Sequence, residues 1–281
     1  MTGAPDLPDP QVRKQLVVDV FDRGAPEYDQ LGVDFFTPAG RDLVAQVGIR
    51  PGERVLDVGC GRGAVLFAAA DAVGPNGRVV GIDLSPRMAE LTAADAAARG
   101  LTQVSVVQGD AERPDFAPSS FDAVLAGLVI FFLSDAEAAL RAYAALLSSG
   151  GRLGFTTFAA NDPVFDSAMR AAGSFVPDAL PDRGDRQGPF GWVAGITEVL
   201  GATGFADIRI DERIYESRFT DADHWLAWVW SHGGRATLER VPPDKLADAV
   251  VAAKTEFAAA RTPRGDYALH TTIRFTTARP T

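Results

Sequence analysis

Residues 55–63 read Val55-Leu56-Asp57-Val58-Gly59-Cys60-Gly61-Arg62-Gly63, a short apolar run that carries one acid and breaks into three alternating glycines. A strand ending in this way brings bare backbone against a ligand, because Gly59, Gly61 and Gly63 can take conformations and close contacts that a Cβ forbids. Asp57, set inside the strand's end, calls for a cationic or donor-rich ligand. One short motif of this kind needs a wider frame before it carries a function.

Four further segments supply that frame. Val79-Val80-Gly81-Ile82-Asp83 is a second apolar strand ending in an acid, 20 residues past Gly63, where doubly wound sheets hold a ribose by its hydroxyls. A third strand, Val104 to Val107, closes on Gln108-Gly109-Asp110-Ala111, and a fourth, Phe121 to Ala126, opens into Gly127-Leu128-Val129-Ile130-Phe131-Phe132. Leu146-Leu147-Ser148-Ser149-Gly150-Gly151-Arg152-Leu153 reads as helix, glycine turn and fifth strand. Over residues 52–157 the chain thereby resembles the class I, Rossmann-like S-adenosylmethionine-dependent methyltransferases.

The resemblance implies an α/β fold with a seven-stranded, mostly parallel sheet, helices on both faces and a helical and loop cap. It implies S-adenosyl-L-methionine as cofactor, whose ammonium and sulfonium suit Asp57. Its cofactor site would comprise Tyr28, Asp57, Gly59, Gly61, Asp83, Leu84, Met88, Asp110, Ala111 and Gly127. In that site Asp83 takes the ribose hydroxyls, Asp110 accepts from the adenine amino group, and Tyr28 belongs to an aromatic-bearing amino-terminal segment that closes the pocket, as in methyltransferases of the ubiquinone and menaquinone type. Tyr28 also reads simply as a packing residue. Gly59, Gly61 and Ala64 satisfy the permissive dinucleotide fingerprint as well, with Asp83 as its ribose acid. Against a dinucleotide stands Asp57, which would lie beside a pyrophosphate, where like charges repel.

Composition narrows the partners. With 281 residues and 47% apolar side chains there is material for one large domain or a domain with a cap. The formal net charge is −10, the arginines are scattered among acids, and no basic stripe is present, which argues against nucleic acid. The one cysteine, Cys60, has no partner for an internal disulfide, so a reducing cytoplasm is expected. Cys60 itself reads as a small packed residue. Residues 1–11 read as a loose tail without export features. The longest apolar run, Ala123 to Leu133, is about half of the ~20 residues a membrane span needs, so no membrane segment is expected. No His, Asp and Glu set has metal-ligand spacing, so no metal is expected. Oligomeric state leaves no mark. Arginine at most basic positions, with abundant alanine, suggests a GC-rich bacterial gene and hence secondary metabolism.

Along the chain, residues 1–50 read as a tail and helical lid, 51–160 as the cofactor-binding core, 161–191 as an irregular, mobile cover, and 192–281 as the end of the sheet with an inserted helical cap at about 219–264. Helices are expected at Ala39–Val47, Ala64–Val73, Pro86–Arg99 behind a Ser85 cap, Asp135–Leu147 capped by Ser134 or Asp135, Asp221–Ser231 and Pro242–Ala260. A last strand, Tyr267 to Thr277, would be an antiparallel edge inserted between strands five and six.

Substrate chemistry is less marked. Trp225, Trp228 and His232 are spaced i, i+3, i+7, so one helical face would present two indoles and an imidazole. That face reads either as glue to the sheet or as an aromatic wall in which these three residues act on the substrate. Phe35, Phe36 and Phe131 are candidates for the same pocket. Methyl transfer needs alignment, and a base only if the acceptor must lose a proton; His232, His224, His270 and Asp162 are the candidates. Oxygen, nitrogen and carbon acceptors all remain open. The expected activity is methyl transfer to a small, largely apolar metabolite. Methylation of a quinone-precursor ring, and a protein that binds the cofactor and cyclises a substrate without transfer, are the alternatives.

Overall fold

The computed structural model describes residues 9–177 and 187–281. Seven strands form one sheet in the order β3-β2-β1-β4-β5-β7-β6. They are β1 Arg54–Val58, β2 Arg78–Asp83, β3 Val104–Gln108, β4 Phe121–Gly127, β5 Leu147–Ala160, β6 Phe205–Phe219 and β7 Tyr267–Pro280. The first five are parallel, and β7 runs antiparallel between β5 and β6.

The quoted motif explains why β1 is central. Val55, Leu56, Asp57 and Val58 are all buried, and their side chains alternate between two cores. Val55 joins the layer of α2 Phe36–Val47 and α3 Ala64–Val73, whereas Leu56 and Val58 join that of α5 Ala136–Leu146 and α7 Val193–Ala202. A strand covered on both faces reads as a near-continuous apolar run, which Val55, Leu56 and Val58 supply; Asp57 is the one exception. Strand order reverses between β1 and β4, and such a switch point opens a crevice at the carboxyl ends of the strands.

Helix starts follow their caps. α4 Pro86–Ala98 begins behind Ser85, whose Oγ accepts from the Met88 N–H at 3.0 Å. At α5 the cap is Asp135, accepting from Ala138 N–H at 2.9 Å.

Several elements depart from the sequence reading. An α-helix, α1 Pro10–Gly24, stands in the segment read only as tail and helical lid; Asp9 caps it and proline occupies its first position. α2 begins at Phe36, three residues early. Residues 161–191 are not uniformly irregular, because α6 Pro163–Gly173 packs Phe165, Ala168, Met169 and Ala172 inward at helical spacing behind an Asp162 cap. Asp178, Asp182, Arg183, Asp185 and Arg186 of that expected cover, and residues 1–8 of the expected tail, lie outside the described residues. The glycine turn at 150–151 is a bulge inside β5, where pairing with β4 slips between Leu147 and Arg152 and Gly150 has φ +76°. The last strand, β7, is inserted antiparallel between β5 and β6 as expected, but the edge of the sheet is β6.

The insertion between β6 and β7 holds α8 Ala222–Ser231, a single turn α9 Arg235–Leu238 and α10 Leu246–Phe257. α10 is shorter than the expected Pro242–Ala260 and ends in a 3₁₀ turn at Ala258–Ala260.

Candidate functional site

At the carboxyl end of β1 the three glycines have φ of +64° at Gly59, +50° at Gly61 and +87° at Gly63. A Cβ on Gly59 would fall 2.4 Å from Val129 Cγ2, and one on Gly63 2.4 Å from Phe67 Cε2. These two positions need glycine for packing as well as for conformation. At Gly61 the nearest atom is Tyr28 Cε1 at 3.9 Å, so its open side faces a gap roofed by the tyrosine. That gap is a cavity of about 40 Å³ whose walls include Tyr28, Phe36, Asp57, Gly61, Gly127 and Thr156.

Asp57 is 1% exposed, and neither carboxylate oxygen has a well-formed hydrogen bond among the described residues. Burial, reinforced by the charge of Asp83, pushes its carboxyl well above the usual range. Only the Leu66 backbone N–H pulls against that rise; a buried acid so poorly served by donors is costly, and an ammonium supplied by a ligand would remove that cost. The open face of Gly61 and the unpartnered Asp57 both fit an amino-acid-bearing nucleoside such as S-adenosylmethionine.

Asp83 closes β2 and ties two turns together. Its Oδ2 accepts from Gly61 N–H at 2.8 Å and its Oδ1 from Ser85 N–H at 2.9 Å. Burial lifts its carboxyl to about 6 against the pull of those backbone donors. Asp110, past the end of β3, accepts from Glu112 N–H at 2.9 Å and pairs with Lys14. Ala111 carbonyl accepts from the Tyr143 hydroxyl at 2.7 Å, and Leu84 carbonyl from Gln108 at 3.3 Å. Met88 is fully buried on the inner face of α4.

Tyr28 stacks on Phe36 within the amino-terminal segment, centroids 4.6 Å apart, and three hydrogen bonds pin that segment over these strand ends. Arg62 of the glycine turn donates to Ala25 carbonyl at 2.7 Å, and Asp22 accepts from Ser85 Oγ and from Arg87 N–H. Beyond Gly127, Leu128 holds φ +56°, a strained value for a bulky side chain, while its N–H donates to Thr156 Oγ1 at 2.9 Å. Leucine gives no warning of this conformation in the sequence.

The aromatic candidates divide. Phe35 meets Phe36 at 4.9 Å, Trp228 at 6.1 Å and Phe158 at 6.4 Å, and Phe158 meets Phe131 at 5.6 Å. His232 lies 4.2 Å from the Trp228 ring and 6.0 Å from Phe36. Phe35, Phe36, Phe131, Trp228 and His232 therefore form one contiguous cluster beside Tyr28. Trp225 does not line it with them. It is fully buried and stacked on Phe257 at 4.3 Å, gluing α8 to α10. Nor do the three share one helical face, since α8 stops at Ser231 and His232 is extended.

The candidate bases have structural duties. His232 Nδ1 donates to Val229 carbonyl at 3.1 Å, and His224 Nε2 to Leu31 carbonyl at 2.9 Å. Asp162 accepts from the backbone N–H of Val164 and of His270, each at 2.8 Å, and His270 is half exposed beside Glu216. Among the described residues no group of three His, Cys, Asp or Glu side chains could hold a metal ion, and no helix is long and apolar enough to cross a membrane.

A methyltransferase-domain family model matches residues 55–151. Nocamycin O-methyltransferase of Saccharothrix syringae is 40% identical over 245 residues, covering 81% of this chain and 86% of that protein. Aklanonic acid methyltransferase DauC of Streptomyces sp. strain C5 is 49% identical over 152 residues, 54% of this chain and 67% of that one. Demethylmenaquinone methyltransferase of Lactobacillus johnsonii is 32% identical over 151 residues, 51% of this chain and 61% of that one. The crystal structure of the YcgJ protein from Bacillus subtilis covers 87% of this chain and 99% of its own at a TM-score of 0.58, and that of the [4+2]-cyclase SpnF covers all of both at 0.58. Both are 19% identical and share the fold. With a glycine turn and acids at the strand ends, and a relative matched over most of both chains, this chain belongs to the S-adenosylmethionine-dependent methyltransferases.

Proposed function

We propose that the enzyme methylates an oxygen of a small, largely apolar metabolite, and that this oxygen belongs to a carboxylate. The observation that carries this reading is the aromatic cluster of Phe35, Phe36, Phe131, Trp228 and His232 beside the cavity, with His232, His224 and Asp162 held by backbone groups and His270 half exposed beside Glu216. A carboxylate is already ionised at neutral pH and needs no base. Trp228 Nε1, buried without a hydrogen bond among the described residues, is a donor that an acid substrate would satisfy. Two relatives agree in chemistry, one being an O-methyltransferase and the other the methyltransferase of an acid. The demethylmenaquinone relative favours a quinone ring instead, but it matches about half of this chain.

When bound, S-adenosylmethionine supplies a methyl on positively charged sulfur, which a nucleophile takes in line with the departing sulfur. Asp57 would meet the methionyl ammonium, Asp83 the ribose hydroxyls and Asp110 the adenine amino group. Gly59, Gly61 and Gly127 let backbone approach, Leu84, Met88 and Ala111 flank the nucleoside, and Tyr28 roofs it. The aromatic cluster holds the acceptor in line and excludes water, and such alignment is worth on the order of 7–11 kcal/mol in intramolecular systems. The chain's acidity fits a small-molecule partner and no nucleic acid, and a single buried thiol fits the cytoplasm.

The test is incubation with deuterated-methyl S-adenosylmethionine and a panel of aromatic and polyketide acids, followed by mild alkaline hydrolysis of the product. Release of deuterated methanol identifies a methyl ester. A label that survives hydrolysis shows an ether or a carbon–methyl bond and removes the carboxylate reading.

A further inference from the structure

We infer that Lys14 of α1 is a positioning residue for the adenine half of the cofactor, holding Asp110 as a fixed, charged acceptor for the adenine amino group. The inference rests on the reading of Asp110 as the adenine-amino acceptor. Lys14 Nζ lies 2.7 Å from Asp110 Oδ2 and 2.8 Å from Glu112 Oε2, a bridge between a helix and a strand end 96 residues apart. The side chains are 16% exposed at Lys14, 10% at Glu112 and 30% at Asp110, so the bridge is partly covered.

Asp110 and Glu112 are neighbouring acids at one strand end. Lys14 donates to both, so one ammonium draws the two carboxylates together and fixes where the Asp110 oxygens point. Burial alone would lower the lysine's own pKa, but its hydrogen bonds to the two acids outweigh this and raise it, so it stays charged at neutral pH. The other oxygens are anchored as well. Asp110 Oδ1 accepts from Glu112 N–H, and Glu112 Oε1 from Ser134 N–H. Each carboxylate oxygen has two lone-pair directions, so Asp110 keeps capacity to accept from one more donor. An exocyclic amino group is such a donor. The six-carbonyl of hypoxanthine is an acceptor, and a carboxylate oxygen held at that position repels it.

Asp22, on the same helix, fixes α1 to Ser85 and Arg87 at the start of α4. The adenine pocket is thus completed by α1, outside every motif of the strand ends.

The experiment compares calorimetric affinities for S-adenosylhomocysteine and S-inosylhomocysteine in the parent, Lys14→Met, Lys14→Arg and Asp110→Asn proteins, with melting temperatures recorded for each. Lys14→Met should weaken the adenosyl ligand about tenfold, the scale of a charge-assisted hydrogen bond, and the inosyl ligand little, so that the preference shrinks about tenfold. Lys14→Arg should restore most of the preference. Equal weakening of both ligands by Lys14→Met would show that Lys14 only anchors the helix, and tighter adenosyl binding would show a competing latch; either overturns the inference. If Lys14→Met does not fold, Lys14→Gln, similar in reach and uncharged, carries the same readout. An undiminished preference in Asp110→Asn would instead overturn the reading of Asp110 itself.

Discussion

The ends of β1 and β2 and the aromatic cluster under the insertion sit side by side and are built by opposite means. At the strand ends, backbone and short acids do the work: three glycines at positive φ, Asp57 without a partner, and Asp83 fastened to two turns. In the cluster the elements are bulky rings brought from α2, β5, α8 and the chain past it, with few polar atoms among them. A site made of backbone serves one invariant ligand, whereas a site made of side chains can be recut for another acceptor without disturbing the cofactor.

The largest effect should separate the two tryptophans of α8. Trp225→Ala should lower stability by about 3–5 kcal/mol, the range for an emptied core tryptophan, read by chemical denaturation. Trp228→Phe should leave stability within about 1.5 kcal/mol, raise the substrate KM and leave cofactor affinity unchanged. A Trp228→Phe enzyme with parental kinetics would place the acceptor elsewhere.

Next come the glycines. Gly59→Ala forces a Cβ onto Val129 at a positive φ and should cost about 2–4 kcal/mol of stability. Gly61→Ala meets open space, so its penalty is the strained conformation, about 1 kcal/mol, and its main effect should appear in cofactor titration. Equal losses of stability would mean that the turn packs alike on both sides.

Asp83→Ala should weaken cofactor binding by about 1.5–3 kcal/mol, the scale for hydrogen bonds to a charged group. The same residue sets a pH response. Its folded pKa, about 6, lies above the ordinary 3.8. The folded protein therefore binds this proton more readily, and Asp83's contribution to stability grows as pH falls from about 6 towards 4. If Asp83 accepts from the ribose hydroxyls, cofactor affinity moves the other way, because that role needs the ionised acid. Affinity for adenosylhomocysteine should decline below pH about 6 in the parent, and in Asp83→Asn this component of the decline should vanish.

Legibility followed the same divide. The strand-end turns, the Ser85 cap and the succession of strands along the chain were written locally, in residues a few positions apart, whereas the place of the last strand in the sheet came with the family resemblance. α1 was missed as a separate helix although Asp9-Pro10 marks its start and Val12, Leu16 and Val20, with Val17 and Phe21, recur at helical spacing. α6 was masked by flanking prolines and glycines, although Phe165, Ala168, Met169 and Ala172 spell its buried face. Periodicity placed Trp225 and Trp228 together, and only their tertiary partners, Phe257 for one and Phe35 with His232 for the other, part them. The Lys14 bridge and the strain at Leu128 depend on distant neighbours and leave no trace in composition or spacing.

The most direct test of a strand end built for a charged, amino-acid-bearing nucleoside is titration of Asp57→Asn with S-adenosylhomocysteine and with methylthioadenosine, which lacks the ammonium and carboxylate. The substitution should weaken adenosylhomocysteine about tenfold or more, leave methylthioadenosine near its parental affinity, and hold or raise the melting temperature, because a buried acid without a partner is removed. Unchanged affinity for adenosylhomocysteine, or equal loss for both ligands, would contradict the assignment of Asp57 to the methionyl ammonium.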